Sequence, residues 1–388
     1  MRRAFFLSSI VSGLLCLSSP AISEPGVTSN AIAFGQVAAL EGPAGSLGRE
    51  MRDGIVAAFE EANRSGGVKG RKLALVSEDD GYEPTKSIEA TTRMLSENKV
   101  FALIGAVGTP TSAATQPIAA GNGVPFIAPF TGAQFLRDPF KPNVVNIRAS
   151  YFQETETMVE RLTKDKGVAR IAILYQDDAF GRAGLAGVQK ALDKRGMKLA
   201  AEASFERNTI AIKSALLTIE RAKPEAIILI GPYKPCAEFI KLAHKLKVDA
   251  LFVNISFVGS DALAKELGAD GAGVIVTQVV PFPQDTNLPV VARYQAALKA
   301  IDSNAKPGFV SLEGYLAGRL AIAALEQGQA EPSRQKFLKA IFANSFDFGG
   351  VVLNFGPENN QGANSVFLTI LQSNGSYRPV PDLTWTSD

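Results

Sequence analysis

Apolar positions along this chain follow two alternating rhythms. Unbroken apolar runs predict strands covered on both faces, and apolar residues spaced three or four apart predict amphipathic helices. Ala31 to Leu40 reads as a first strand, Glu41 to Gly48 as a flexible turn, and Arg49 to Arg64 as a helix facing inward with Met51, Ile55, Ala58, Phe59 and Ala62. Arg71 to Glu78 is a second strand, and Pro84 opens a helix with Ile88, Thr92 and Leu95 on one face. Val100 to Val107 is a third strand and Val124 to Phe130 a fourth, with a helix between them. Asn143 to Ser150 reads as a crossover rather than a core strand. The alternation then restarts: helix near Phe152, strand Val168 to Tyr175, helix Arg182 to Arg195, strand Lys198 to Phe205, helix Ile210 to Arg221, strand Ala226 to Ile230, helix Pro235 to Leu246 and strand Leu251 to Ile255. Strands at Gly273 to Val280, Val351 to Phe355 and Val366 to Gln372, with helices from Pro289, Pro307 and Gln335, complete the pattern, and the tail from Pro379 reads as peripheral, with Trp385 as a packing plug. Strands alternating with helices of this length predict doubly wound parallel sheets, used twice: an α/β fold of two similar lobes with a groove between them.

The junction at Gly108 organises the first half. An apolar strand breaks at Gly108, and Thr109-Pro110 reads as a helix start, with Thr109 as the cap and Pro110 where its missing N–H does no harm. Ligands of open α/β sheets bind at such strand-to-helix turns, and the helix dipole there favours an anion such as a carboxylate. Thr111 and Ser112 add hydroxyls.

Composition narrows the class. A hydrophobic content of 46% with 20% charged residues excludes wholesale disorder, and a formal net charge of +2 without a long basic run gives no nucleic-acid footprint. Arg2-Arg3, the apolar segment Ala4 to Leu17 and Ala21-Ile22-Ser23 form a charged, apolar and small-residue series, a signal peptide over residues 1–23. Removing it leaves Cys236 alone, so no internal disulfide is expected. No second membrane-length run follows, and the mature chain is expected to be periplasmic, with no stable membrane insertion.

Catalytic chemistry is scarce. His244 lies between lysines in KLAHKLK, and with one histidine and one mature cysteine no ordinary zinc site can be built. No phosphate-binding loop, nucleophile elbow or H-E-x-x-H motif occurs. The expectation is therefore no enzyme, no cofactor and no metal. The strand tips instead collect Leu47, Tyr82, Thr109, Phe130, Thr131 and Gly132 on one lobe and Phe180, Tyr233, Ser256 and Phe257 on the other, aromatic walls mixed with hydroxyls as in small-molecule clefts.

The pieces LEGPAGSLG, EEANRSGGVKGRKLALVSEDD, GAVGTPTSAATQP, VPFIAPFTGA, RIAILYQDDAFG and GPY together resemble the periplasmic solute-binding proteins of branched-chain amino-acid ABC transporters. The resemblance implies the type I periplasmic binding protein fold, two lobes joined by three hinge crossings, here near Arg148, Gln278 and Asn359 to Ser365. It implies an N-terminal lobe of residues 24–147 plus 279–362 and a C-terminal lobe of 148–278 plus 363–388. It also implies a monomeric receptor that closes over a small-molecule solute and hands it to ABC permease subunits; a ligand-sensing regulator of the same fold is the alternative. By the same resemblance, Thr109 holds the ligand carboxylate, assisted by donors at Phe130, Thr131 and Gly132. Leu47 replaces an aromatic residue, Phe180 lacks a phenol, Tyr233 keeps one, and Ser256 or Phe257 stands where the family's amine-binding glutamate falls. The expected ligand is then a small carboxylate or amide, aromatic members included, rather than leucine, unless Glu41, Asp80 or Glu154 supplies the missing anion.

Overall fold

The computed structural model describes residues 24–97, 100–328 and 331–384; the signal-peptide segment and Trp385 lie outside them. The first half runs β1 (Ala31–Ala38), α1 (Gly45–Arg64), β2 (Lys72–Asp79), α2 (Pro84–Ser96), β3 (Ala102–Ile104), α3 (Thr109–Gly121), β4 (Phe126–Ile127) and β5 (Val144–Val145). Then follow α4 (Tyr151–Lys166), β6 (Ile171–Gln176), α5 (Ala179–Asp193), β7 (Ala201–Phe205), α6 (Lys213–Arg221), β8 (Ala226–Ile230), α7 (Tyr233–Lys245), β9 (Leu251–Asn254), α8 (Ser260–Leu267) and β10 (Ile275–Gln278). The chain ends with α9 (Pro289–Ile301), α10 (Phe309–Gln327), α11 (Arg334–Phe342), β11 (Ser345–Asp347), β12 (Val352–Asn354), β13 (Phe367–Leu371) and β14 (Tyr377–Val380).

Among the described residues the first lobe holds a five-stranded sheet in the order β2-β1-β3-β4-β5, parallel throughout. The second holds seven strands, β14-β13-β10-β9-β8-β6-β7, parallel except where β13 meets β10 and β14. Helices cover the sheets, so central strands read as continuous apolar runs; all of β8 is buried. The doubly wound two-lobed α/β architecture is as the periodicity predicts.

Later segments complete both lobes. α10 packs on α1 so closely that a Cβ on Gly314 would lie 2.2 Å from the Met51 carbonyl oxygen, and one on Gly54 only 1.9 Å from that of Ser311. Glycine at both contact points is what permits this approach, and it explains why α10 is buried almost all round from Phe309 to Gly318. The first and last crossings between the lobes run side by side: Asn146 N–H donates to Asn360 O at 2.7 Å and Gly362 N–H to Asn146 O at 2.8 Å.

Several sequence expectations need correction. Residues 143–150 contain β5, a true edge strand of the first sheet, before they cross over. The glycine-rich turn is shorter than expected, because Gly45 to Gly48 forms the first turn of α1. On α2 the buried positions are Ser87, Ala90, Thr91 and Met94, while Ile88 and Thr92 face solvent. The inward face mixes Ala90 and Met94 with polar residues, because Ser87 Oγ donates to the buried Asp80 carboxylate at 2.7 Å. The tail from Pro379 is not peripheral at its start: Pro379 and Val380 belong to β14, which forms a hairpin with β13 and closes the second sheet, and Leu383 is buried. Helix α8 and strand β11 have no counterpart in the sequence reading, whereas the strand expected at Val351 to Phe355 is β12, the partner of β11 in a hairpin.

Six carboxyl groups among the described residues are held above their ordinary range chiefly by burial, Asp53 and Asp178 included. Glu313 is pushed up to about 7, with Arg148 opposing the shift, and Asp80 to about 6. Glu50 on α1 and Asp261 on α8, one from each lobe, are also raised, each chiefly by burial and Glu50 further by the charge of Asp261; Glu50 Oε2 and Asp261 Oδ2 have no hydrogen-bond partner. Asp53 adds to the repulsion on Glu50, Arg49 opposes it, and Tyr294 and Tyr377 sense the Asp261 charge. A carboxyl whose folded pKa is raised costs nothing below its unfolded value and most above its folded one. The melting temperature is therefore expected to fall by several degrees between about pH 5 and about pH 8, with a shallower slope in Glu50→Gln; calorimetric scans across that range check it.

Candidate functional site

The carboxyl ends of the two sheets face each other, and their loops meet in an aromatic cluster. The Phe257 ring lies 4.5 Å from that of Phe180, 5.2 Å from Phe130 and 6.1 Å from Tyr82, centroid to centroid, and Tyr151 lies 5.4 Å from Phe180. Phe130 and Tyr82 come from the first lobe, Phe180 and Phe257 from the second, and all are buried. Phe257 sits in a 3-10 turn, Ser256 to Val258, which follows β9 and carries its ring into the centre of the cleft.

Next in sequence to Phe130, Thr131 joins a hydroxyl pair. Thr109 Oγ1 and Thr131 Oγ1 are 2.7 Å apart and fully buried, and Ala133 N–H donates to Thr131 Oγ1 at 3.2 Å. Thr109 is the first residue of α3 and does not cap it; Gly108 holds the cap position without a side-chain bond. Only glycine suits that position, because φ is +102° and a Cβ would lie 2.2 Å from Tyr82 Cε2. The Thr109 hydroxyl is thereby freed from local capping for its partner on the next strand's turn. Thr111 Oγ1 turns back to the Val107 and Gly108 carbonyls, while the buried Ser112 Oγ has no partner.

The other expected site residues are also at this meeting of loops. Gly132 lies against Tyr151, whose N–H donates to the Gly132 carbonyl at 2.7 Å. The backbone N–H groups of Phe130 and Thr131 already donate to Ala106 and Pro129, which corrects the expectation that this turn offers them outward. Tyr233 is the first residue of α7 rather than part of a loop, and its hydroxyl accepts from Ser46 N–H of the opposite lobe at 3.4 Å. Leu47 packs on Gly259, where a Cβ would lie 2.4 Å from its Cδ2.

Polar contacts join the lobes around this centre. Gln176 Nε2 donates to the Tyr82 hydroxyl at 3.3 Å, Arg207 Nη2 to Glu83 at 2.8 Å, and Asn208 Nδ2 to Gly81 O at 3.1 Å and to Glu83 at 2.6 Å. Asp178 accepts from the N–H groups of Phe180 and Gly181, capping α5, and also takes Gln176 and Arg207.

Sequence reasoning missed the floor. Arg148, identified only as a crossing position, is fully buried and spans both lobes. Its Nη1 lies 3.5 Å from Glu313 on α10; its Nη2 donates to Glu154 on α4 at 3.1 Å and to Ser256 Oγ. The guanidinium carbon sits 5.0 Å from the Phe130 ring centroid and 5.8 Å from that of Tyr151. Burial alone would lower the Arg148 pKa, but Glu313 and Glu154 outweigh it and hold the group charged. Glu154 additionally accepts from Ser256 N–H at 3.0 Å, Ser256 Oγ at 3.0 Å and Thr277 Oγ1 at 2.7 Å. None of the three substitute anions is therefore open: Glu154 is engaged by Arg148, Asp80 by Tyr82 N–H and Ser87, and Glu41 is exposed. An arginine within the mostly apolar stretch Val144 to Ala149, which also carries Asn146, was the available signal.

A family model described as periplasmic binding protein matches residues 31–376, nearly all of the described chain. The chain belongs to that family. Among solved structures, this periplasmic binding protein is similar to a possible leucine/isoleucine/valine-binding protein from Rhodopirellula baltica, at 34% identity and a TM-score of 0.86 over 93% of this chain and 98% of that one. A leucine-, isoleucine-, valine-, threonine- and alanine-binding protein of Pseudomonas aeruginosa is 25% identical over 79% of this chain and 80% of its own length. A Leu/Ile/Val-binding protein of Rhizobium johnstonii is 28% identical over 62% of this chain. The chain spans 65% of the length of that Rhizobium relative and 54% of a Brucella melitensis homologue. Among the described residues of this periplasmic binding protein no helix is long and apolar enough to cross a membrane.

The contacts of Arg207 with Glu83 and Asp178 are part-exposed, so they favour lobe contact only modestly. Arg207→Ala is expected to shift the balance towards separated lobes by about 1 kcal/mol or less, read as a longer spin-label distance between the lobes. An unchanged distance distribution would remove the contact from closure.

Proposed function

We propose that this protein is an exported receptor that binds a small carboxylate lacking an amino group between its lobes and delivers it to the permease of an ABC transporter. The observation that carries this reading is the buried Thr109–Thr131 hydroxyl pair at the first turn of α3, with Thr131 next in sequence to Phe130 of the aromatic cluster. Hydroxyls at a helix start suit a carboxylate, since the dipole and unpaired N–H groups there favour negative charge. The aromatic faces of Phe130, Phe180 and Phe257 suit an apolar or aromatic body behind that carboxylate.

The amine half of amino-acid recognition has no matching group. A buried ammonium is costly without a carboxylate partner. Among the described residues, the carboxylates facing the cleft floor, Glu154 and Glu313, already hold Arg148, and Asp178 holds a helix start with Gln176 and Arg207. Leucine-binding relatives support the solute-binding role, and the departure at Ser256 and Phe257 supports a different cargo. The remaining site assignments belong to this proposal: Leu47, Tyr82 and Tyr233 as side walls, Gly132 as the close approach beside Tyr151. So do the division into lobes of residues 24–147 plus 279–362 and 148–278 plus 363–388, the periplasmic location and the monomeric state.

Titration calorimetry with two matched pairs tests it: 4-methylpentanoate against leucine, and 3-phenylpropanoate against phenylalanine. At least one amine-free acid is expected to bind more tightly than its amino acid, and preference for the amino acids in both pairs, or no binding of any of the four, overturns the reading. Thr109→Ala and Thr131→Ala are each expected to weaken binding of the preferred acid by about 1–3 kcal/mol through loss of a charge-assisted hydrogen bond.

A further inference from the structure

We propose that Arg148 is a built-in substitute for the amino group of an amino-acid ligand, and that it sets the preference of the cleft for acids without an amine. The inference rests on the cargo reading above and adds the residue that enforces it.

Glu154 is equipped to hold a cation. Its carboxylate is completely buried and fixed by three donors from two elements of the second lobe, Ser256 N–H, Ser256 Oγ and Thr277 Oγ1, at 3.0, 3.0 and 2.7 Å. A buried carboxylate so oriented still needs a positive partner, and Arg148 Nη2 supplies it at 3.1 Å. The guanidinium comes from the crossing segment at the boundary of the two lobes, six positions before Glu154, and reaches Glu313 of the other lobe as well. It lies among cleft groups, over Phe130 and Tyr151 and bonded to Ser256 next to Phe257. The backbone of Arg148 is held in turn, since Arg137 Nη2 donates to its carbonyl at 3.2 Å. Arg148 Nε is buried without a hydrogen-bond partner, a polar group of the same floor left open. An incoming ammonium would meet a cation already seated on Glu154 and shared with Glu313, whereas a carboxylate without an amine meets no such conflict.

A mere strut between lobes would influence stability but not the choice between leucine and its amine-free counterpart. The measurement is therefore the ratio of dissociation constants within each pair used above, obtained by calorimetry on the full mature protein near pH 7.5. Arg148→Met with Glu313→Gln leaves a single unpaired carboxylate, Glu154, and is expected to move the ratio at least tenfold towards the amino acid, chiefly by tighter amino-acid binding. Arg148→Lys, which keeps a cation, is expected to hold the ratio within about threefold of the wild-type value. Glu154→Gln retains Arg148 and removes the anion, and is expected to move the ratio several-fold the other way; it also serves if the double variant does not fold, as judged by circular dichroism and melting. A folded double variant or Glu154→Gln with an unmoved ratio overturns the role of Arg148 while leaving the cargo reading intact. Wild-type protein that prefers both amino acids overturns the cargo reading itself.

Discussion

One guanidinium, that of Arg148, sits where both lobes and the crossing between them meet, and the geometry of the cleft depends on its being neutralised there. Removing a charge from water costs several kcal/mol, and an unpaired ion at this depth would not be tolerated. Glu313 reaches it from α10 and Glu154 from α4, so the two lobes share one countercharge arrangement at the hinge. That arrangement fixes Ser256, Ser256 leads into Phe257, and the Phe257 ring completes the aromatic cluster against Phe130, Phe180 and Tyr82. The hydroxyl pair of Thr109 and Thr131 lies on the other side of the same cluster.

Interlobe contacts therefore fall into two kinds. Those near the hinge are buried, charged and mutually dependent, and they persist only as a set. Those at the rim, such as Arg207 with Glu83, are solvated, screened by salt and individually weak. A protein that must open and close needs this distribution, with strong coupling where motion is small and weak contacts where it is large.

The fold was legible in the sequence because parallel strands covered on both faces produce apolar runs, and their alternation with helices leaves few architectures. The strand-to-helix turns likewise pointed to loops that meet at the carboxyl ends of the two sheets. What escaped was whatever depends on distant partners. Thr109 resembles a local cap, and nothing nearby reveals that its hydroxyl meets Thr131 on another strand's turn. Arg148 reads as an ordinary crossing residue because Glu313 lies 165 positions away. On α2 the periodic pattern cannot choose between two mildly apolar faces, and the buried Asp80 recruits Ser87 and so decides it. The strand β5 has two residues, too short for any periodicity. The β13–β14 hairpin did carry a signal, Asn374-Gly375, with Gly375 at φ +81°.

Neither lobe is one continuous stretch of chain. Helix α1 lacks its packing partner until α10 follows some 250 positions later, and the second sheet stays open at one side until β13 and β14 arrive near the carboxyl terminus. A ribosome delivering this polypeptide from its first residue thus releases almost the entire length before either hydrophobic centre can be sealed.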